Sequence, residues 1–320
     1  MRRVLLLFNP AAGRRRTERL RTIEHIADAL RSRGIEVQTA PTRAAGSAGD
    51  QAAEASNAGI DTIFACGGDG TVHEVLQGLV FHPHATLGVI PLGSANALAR
   101  HLRLPLNPIR AALQQIDYQP QIIPLGKVDF QTRTGQASRY FIVMAGAGPD
   151  GALVYNMLSS GKHKLGRLMY YLRAASLFCR GHFSSFTLTR TYASIHTTQQ
   201  AVSAMSVRVG DLGGLFAPLI RGASIEHPHL TLSIASDPAP LSLPAWFALS
   251  WARLHRWNRY VQTVPADSYH CSAGKTSVVQ VQADGEWLGT TPMTVNLVPN
   301  ALRLLTPVVA PPKSRQASLA

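Results

Sequence analysis

Over the first 120 residues, short apolar runs alternate with segments whose apolar positions recur at helical spacing. Val4–Phe8 reads as a strand. Thr17–Arg33 reads as a helix with Leu20, Ile23, Ile26, Ala27 and Leu30 on one face. Ile35–Thr39 then predicts a strand, Ser47–Ala58 a helix, Ile60–Cys66 a strand and Thr71–Val80 a helix. Thr86–Ile90 predicts a fourth strand, and Ser94–His101 opens a further helix. A βαβα rhythm of this kind implies a parallel sheet covered on both faces. Ligands of such sheets bind beyond the carboxyl ends of the strands.

After about Gln119 the pattern changes. Gln121–Phe130 and Ser138–Ala145 predict strands, and a helical pair is expected over Asp150–Phe178. Short alternating runs follow at Phe183–Thr189, Ala204–Val209, Leu230–Ala235, Val261–Val264, Ser277–Gln282 and Met293–Leu297. They predict a β-rich, mainly antiparallel, sandwich-like second domain. The expected division is an α/β domain over 1–122, to which residues 299–309 return, a β-rich domain over 123–298, and a loose tail over 310–320.

Composition narrows the class. A chain of 320 residues with 46% hydrophobic content can bury two ordinary cores. No window holds the roughly 18 consecutive apolar residues of a membrane span. The run after Arg2 and Arg3 leads directly into Pro10 and Gly13, so the expectation is a first strand and not a signal peptide. Three scattered cysteines, Cys66, Cys179 and Cys271, fit a reducing, cytoplasmic setting. The formal charge is +13, and no acidic residue occurs between Gly151 and Gly210, a stretch that holds Lys162, Lys164, Arg167 and Arg173. Such a surface suits an anionic membrane leaflet or a phosphorylated ligand. Nucleic acid is not expected, because no recognition helix, zinc motif or aromatic platform accompanies the charge.

Candidate chemistry sits in the glycine-rich turns. Thr62–Cys66 runs into Gly67, Gly68, Asp69, Gly70 and Thr71, with Glu74 one turn on. Glycines let a ligand approach the backbone, and a helix start with Thr71 as cap favours phosphate. A carboxylate there suits a metal or a proton transfer, which singles out Asp69. A second turn follows Thr86–Ile90 and contains Gly93, Ser94 and Asn96, with Ser94 expected to cap a helix and Asn96 to offer its amide. A third is Asn9, Pro10 and Gly13. Asp284 and Glu286 flank Gly285 far along the chain, and Asp69 and Asp284, both beside glycine, are expected to be exposed at a cleft.

These blocks, in this order, resemble the diacylglycerol kinase catalytic-domain family, which includes bacterial soluble lipid kinases, sphingosine kinases and ceramide kinases. The resemblance continues through Gly146–Asp150, Lys164–Tyr170 and Asp284–Glu286. It implies an N-terminal domain like that of NAD kinases and phosphofructokinases, a β-rich acceptor domain, and ATP with Mg²⁺ in the cleft between. By resemblance Asn9, Thr42, Gly67, Gly68, Asp69, Gly70, Thr71, Glu74, Gly93, Ser94 and Asn96 contact ATP, and Asp69 meets the metal through the phosphates. Asp284 matches the general base on a lipid hydroxyl, although sphingosine kinases give that role to the aspartate matching Asp69. Glu286 would orient the metal or its waters, and Asp150 would face the lipid headgroup.

The implied partners are a lipid at the membrane surface, met by peripheral contact, and a second copy of the chain in a homodimer. Two departures stand out: Ala97 replaces a frequent aspartate, and His227 stands where an aspartate is linked to a structural Mg²⁺. Gly146–Gly151 has a dinucleotide-fingerprint spacing but lacks the acidic residue about twenty positions on. Trp246–Tyr260 interleaves aromatics with arginines and, with Lys162–Arg180, predicts either a membrane-facing patch or a core-packing helix. Competing readings are a kinase of a soluble acceptor and a nucleotide-binding regulator without turnover.

Overall fold

A computed structural model describes residues 1–10, 16–159, 183–210, 222–236, 245, 249, 261–274 and 277–307. Its first half is a parallel sheet in the order β2 (Glu36–Pro41), β1 (Arg3–Phe8), β3 (Thr62–Gly67) and β4 (Thr86–Pro91). Both faces of β3 and β4 are buried throughout, as expected where helices cover a parallel sheet on both sides. The edge strand β2 is largely exposed.

Helices α1 (Arg16–Arg31), α2 (Ala48–Asn57) and α3 (Asp69–Leu79) connect these strands. Helix α1 buries Ile23, Ile26, Ala27 and Leu30, which share one face, while Leu20 at the margin of that stripe is 38% exposed. Short helices α4 (Ala97–His101) and α5 (Pro108–Gln114) follow β4. Asn107 caps α5, its side chain accepting from the Arg110 N–H, with Pro108 at the first helical position.

The second half is built from antiparallel pairs. Strand β5 (Gln119–Thr132) turns into β6 (Gly135–Phe141), and β7 (Met144–Ala147) leads to α6 (Pro149–Ser159). Then come β8 (Phe186–Tyr192), β9 (Ile195–Ala201), β10 (Ser203–Val207), β11 (Leu230–Ala235), β12 (Val261–Ala266), β13 (Ser268–Ser272), β14 (Gln280–Ala283) and β15 (Glu286–Thr306). The described strands form one sheet, which runs β12-β11-β10-β7-β14-β15-β4-β3-β1-β2 along its main path. An α/β half and a β-rich half are thus present, joined edge to edge.

The long antiparallel partners β5 and β15 make that junction. Ile123 and Leu125 of β5 lie in the first apolar core, and Val128 and Phe130 in the second. On β15, Met293 and Val295 serve the second core, while Leu302 and Leu304 serve the first. Leu304 pairs in parallel with Leu87, so the strand closes beside β4.

Several boundaries differ from the sequence expectation for physical reasons. Helix α3 begins at Asp69 with Gly68 at the cap, so Thr71 lies inside the first turn and does not cap it. Helix α4 begins at Ala97 and not at Ser94, because Asn96 adopts a left-handed conformation (φ 51°) just before it. The strand expected over Ser138–Ala145 is split into β6 and β7 where the backbone turns toward Asp284. Strands β9 and β13 were not anticipated, since β9 is polar and almost fully exposed and shows no alternation. The second expected helix after Ser159, Lys164–Tyr170, the Trp246–Tyr260 segment apart from Leu249, Gly13 and the tail lie outside the described residues.

Beyond Leu87, β4 has a side chain where a neighbouring strand would sit. Gln115, fully buried, accepts from the Val89 N–H through Oε1 at 3.0 Å and donates through Nε2 to the Val89 carbonyl at 2.8 Å. A buried backbone group left unpaired costs about 1–3 kcal/mol. Gln115→Leu is therefore expected to lower the unfolding free energy by roughly 2–4 kcal/mol in urea denaturation, with the fold retained.

Candidate active site

The carboxyl ends of β1, β2, β3 and β4 bring four chain segments to one sheet edge. Thr42 follows β2 and donates its N–H to the Phe8 carbonyl at 2.8 Å, which sets it beside Asn9 at the end of β1. The Leu92 N–H donates to the Gly67 carbonyl at 2.9 Å and ties the turn after β4 to the turn after β3. The two turns touch through glycine. A Cβ built on Gly93 would lie 2.3 Å from Gly68 Cα, a separation no side chain tolerates.

Within the second turn, Asn96 folds back on Gly93. Its Oδ1 accepts from the Gly93 N–H at 3.0 Å and its Nδ2 donates to the Gly93 carbonyl at 2.9 Å. The amide expected to face a ligand is thus spent on shaping the loop, and Gly93 and Ser94 are left exposed at its tip. Asp69 Oδ1 accepts from the Ala97 N–H at 2.7 Å. Burial pushes the Asp69 carboxyl up; the amides of Ala97, Asn96 and Leu98 oppose this, the charge of Asp284 reinforces it, and the net shift is upward. The second turn therefore rests on the carboxylate of the first.

The opposite wall comes from the β14–β15 turn and meets one face of α3, formed by Gly70, His73 and Gln77 at helical spacing. Gln77 exchanges two hydrogen bonds with the Tyr140 backbone, at 2.8 and 3.0 Å. His73 Nδ1 lies 3.1 Å from Asp284 Oδ2. Gly70 lies against Glu286, whose Oε1 would be 3.4 Å from a Cβ built there. Helix α3, which starts at Asp69, thus lies against the turn that holds Asp284 and Glu286.

The expectation that Asp284 is exposed is not met. Its side chain is 1% exposed. Oδ1 accepts from the Val143 and Met144 N–H groups at 2.9 and 3.0 Å, and Oδ2 from Ile142 at 3.1 Å as well as from His73. The residue sits in a left-handed conformation (φ 49°), which aims the carboxylate back into the break between β6 and β7. Glu286 is the open carboxylate of this wall, its side chain 42% exposed. Partial burial pushes it up, His73 pulls it down, and Glu74 and Asp284 add repulsion, for a net upward shift.

Asp150, expected toward a headgroup, is turned inward in the first turn of α6. Its Oδ2 accepts from Gln282 Nε2 at 3.0 Å, and Gln282 Oε1 in turn accepts from the Gly285 N–H at 3.1 Å. Oδ1 is buried and has no hydrogen-bond partner among the described residues. Tyr155 of α6 packs on Trp287 at 5.3 Å between ring centroids, which sets an aromatic surface immediately beside Glu286. Arg208, buried and donating to the Pro124 and Ile225 carbonyls, is held down to about 10 by burial while Asp284 pulls it up. His227 and His229 stack at 5.1 Å, and no group of three metal-ligating side chains occurs among the described residues.

His73, Gln77 and Gln282 are the polar residues that sequence reasoning missed. A signal did exist for two of them. His73 and Gln77 lie four apart, on one face of a helix that also carries the apolar Val72, Val75, Leu76 and Leu79, which marks a polar stripe aimed at another element.

Burial raises the Asp150 carboxyl above its ordinary value of 3.8, against the lowering hydrogen bond from Gln282. Ionisation is thus penalised in the fold only. That penalty is absent below the unfolded value and grows as pH rises through the folded one. Asp150→Asn removes it, so the variant is expected to melt roughly 2–4 °C above the wild type at pH 7. The difference should close as pH falls toward 4, as read by thermal denaturation across pH.

Residues 3–128 match the diacylglycerol kinase catalytic domain. The diacylglycerol kinase of Bacillus subtilis (strain 168) is 37% identical over 182 residues, which are 55% of this chain and 56% of that protein. The diacylglycerol kinase of Staphylococcus saprophyticus is 25% identical over 307 residues, 96% of each chain. In three dimensions the fold is similar to that of a diacylglycerol kinase from Bacillus anthracis str. Sterne, with a TM-score of 0.72 at 23% identity over 96% of this chain and 97% of that one. Residues 3–128 therefore match the catalytic domain of the diacylglycerol kinase family, and it is over this stretch that the likeness to the family holds.

Proposed function

We propose that the protein is an ATP-dependent lipid kinase that transfers the γ-phosphate to a lipid hydroxyl. The observation that carries this reading is the meeting of two glycine turns, joined at Gly68 and Gly93, with the Asp284–Glu286 turn across α3. Phosphoryl transfer asks for little covalent chemistry from a protein. It asks for positioned phosphates, neutralised charge and a proton acceptor near the attacking oxygen.

The Gly67–Gly70 backbone and the exposed tip at Gly93 and Ser94 would receive the nucleotide phosphates, with Asn9 and Thr42 alongside. Mg²⁺ fits this donor set, because the ion is commonly held by one or two carboxylates together with substrate phosphates. Asp69 would meet it through those phosphates. When bound, the ion neutralises charge that develops on the phosphoryl oxygens. The proton acceptor belongs to the Asp69, Asp284 and Glu286 group.

The acceptor side is assigned to a lipid because the relatives bear the name diacylglycerol kinase. The Tyr155–Trp287 pair beside Glu286 also offers an apolar surface next to the polar wall. No described helix is long and apolar enough to cross a membrane. The lipid acceptor places the protein, in this reading, at the membrane surface by peripheral contact, on the cytoplasmic side.

A labelled-ATP transfer assay over diacylglycerol, monoacylglycerol, a sphingoid base and phosphatidylglycerol tests the reading. The wild type should phosphorylate at least one of them, and Asp69→Asn and Asp284→Asn should each reduce turnover by about 100-fold or more. Transfer to a soluble acceptor alone would overturn the lipid assignment. Gly93→Ala, which drives the two turns apart, should raise the KM for ATP at least about tenfold, measured with the lipid held at saturation.

A further inference from the structure

Asp284 is a poor candidate for work at an open cleft. Three backbone N–H groups and His73 occupy both of its oxygens, and the side chain is sealed from solvent. A carboxylate whose two oxygens already face that many donors is an anchor. Because it can only accept, His73 must supply the hydrogen at Nδ1. The ring is thereby fixed in one orientation with Nε2 on its far side.

That second nitrogen is the unusual atom. His73 is 2% exposed, and Nε2 is buried without a hydrogen-bond partner among the described residues. A buried polar atom left open is rare and calls for an explanation. The acidic oxygen paired with it is Glu286 Oε2, at 3.9 Å. This distance is too long for a hydrogen bond and short enough for strong electrostatic attraction in a half-buried site. A shift of about 1 Å in the Glu286 side chain would bring the two to hydrogen-bonding distance.

We propose that His73 is a positioning residue of the acceptor wall: Asp284 fixes its ring, and Nε2 holds Glu286 beside Gly70, where it meets the acceptor hydroxyl. This rests on the kinase reading given above. Asp284 and Glu286 then act as one unit joined through the imidazole, with the sealed carboxylate serving the open one.

Charge agrees with the geometry. Burial pulls the His73 ring down, but the hydrogen bond to Asp284 and the charges of Asp284 and Glu286 outweigh it, against a smaller opposing effect of Arg139. A ring that favours its protonated form donates from both nitrogens. Among the described residues those three side chains are the charged groups acting on it, and Glu74 on its own helix acts on Glu286.

A double-mutant cycle with a spectroscopic arm tests the proposal. His73→Asn keeps a donor near Asp284 and removes the arm that reaches Glu286. It should lower kcat roughly tenfold and leave the KM for ATP unchanged, with the wild-type fold retained by circular dichroism. In a Glu286→Gln background the same change should cost less than about twofold, because the residue through which His73 acts is already lost. Full activity in His73→Asn, or independent effects that multiply, would overturn the proposal.

The ring ¹⁵N signals of His73 at fixed pH give a readout that does not need turnover. They should move at Nε2 on Glu286→Gln while Nδ1 keeps its Asp284-bonded signature. Signals indifferent to Glu286 would overturn the link even if the enzyme transfers phosphate. Absence of transfer by the wild type would instead sink the kinase reading and the acceptor role together.

Discussion

The Asp284 carboxylate is the point on which the two halves of this protein converge. It collects the N–H groups of Ile142, Val143 and Met144, which would otherwise be orphans where the chain leaves β6 and enters β7. It also reaches α3 of the first half through His73. Buried donors and buried carboxylates are each costly alone, and each makes the other acceptable here. The position of the β14–β15 turn, and so of Glu286 and Trp287, follows from that mutual satisfaction.

The nucleotide side is organised by a different constraint, the absence of side chains. Gly68 and Gly93 come so close that the two turns behave as one surface, and Asp69 pins the second turn through the Ala97 amide. Asn96 completes the loop by bonding to Gly93 in both directions. The exposed backbone at its tip is shaped by neighbours that do not themselves face outward.

Much of this was legible in the chain. Strands β1, β3 and β4 read directly as apolar runs, and the glycine turns declared themselves because close approach and helix starts demand glycine. The Asp284-Gly285-Glu286 turn was visible as a motif, but the division of labour inside it was not. Which carboxylate is sealed depends on three amides 140 to 142 residues earlier in the chain. Local sequence carries no trace of such a contact. Gln115, which replaces a strand neighbour for Val89, was hidden for the same reason, since a glutamine near a helix end usually points to water. Strand β9 escaped because its exposed, polar side chains give no alternation to detect.

Strands β5 and β15 cross from one apolar core to the other without a break in the polypeptide between them. A protein whose lobes hang on a flexible tether can open like a jaw and can be cut into separately folding pieces. Here the junction is a continuous antiparallel ribbon, its register shifted between Val298 and Leu302, with side chains committed at both ends. Widening of the cleft must come from twisting that ribbon, and loss of either core removes the partner residues that the other requires. Phosphate wall and acceptor wall thus share one uninterrupted ribbon of backbone.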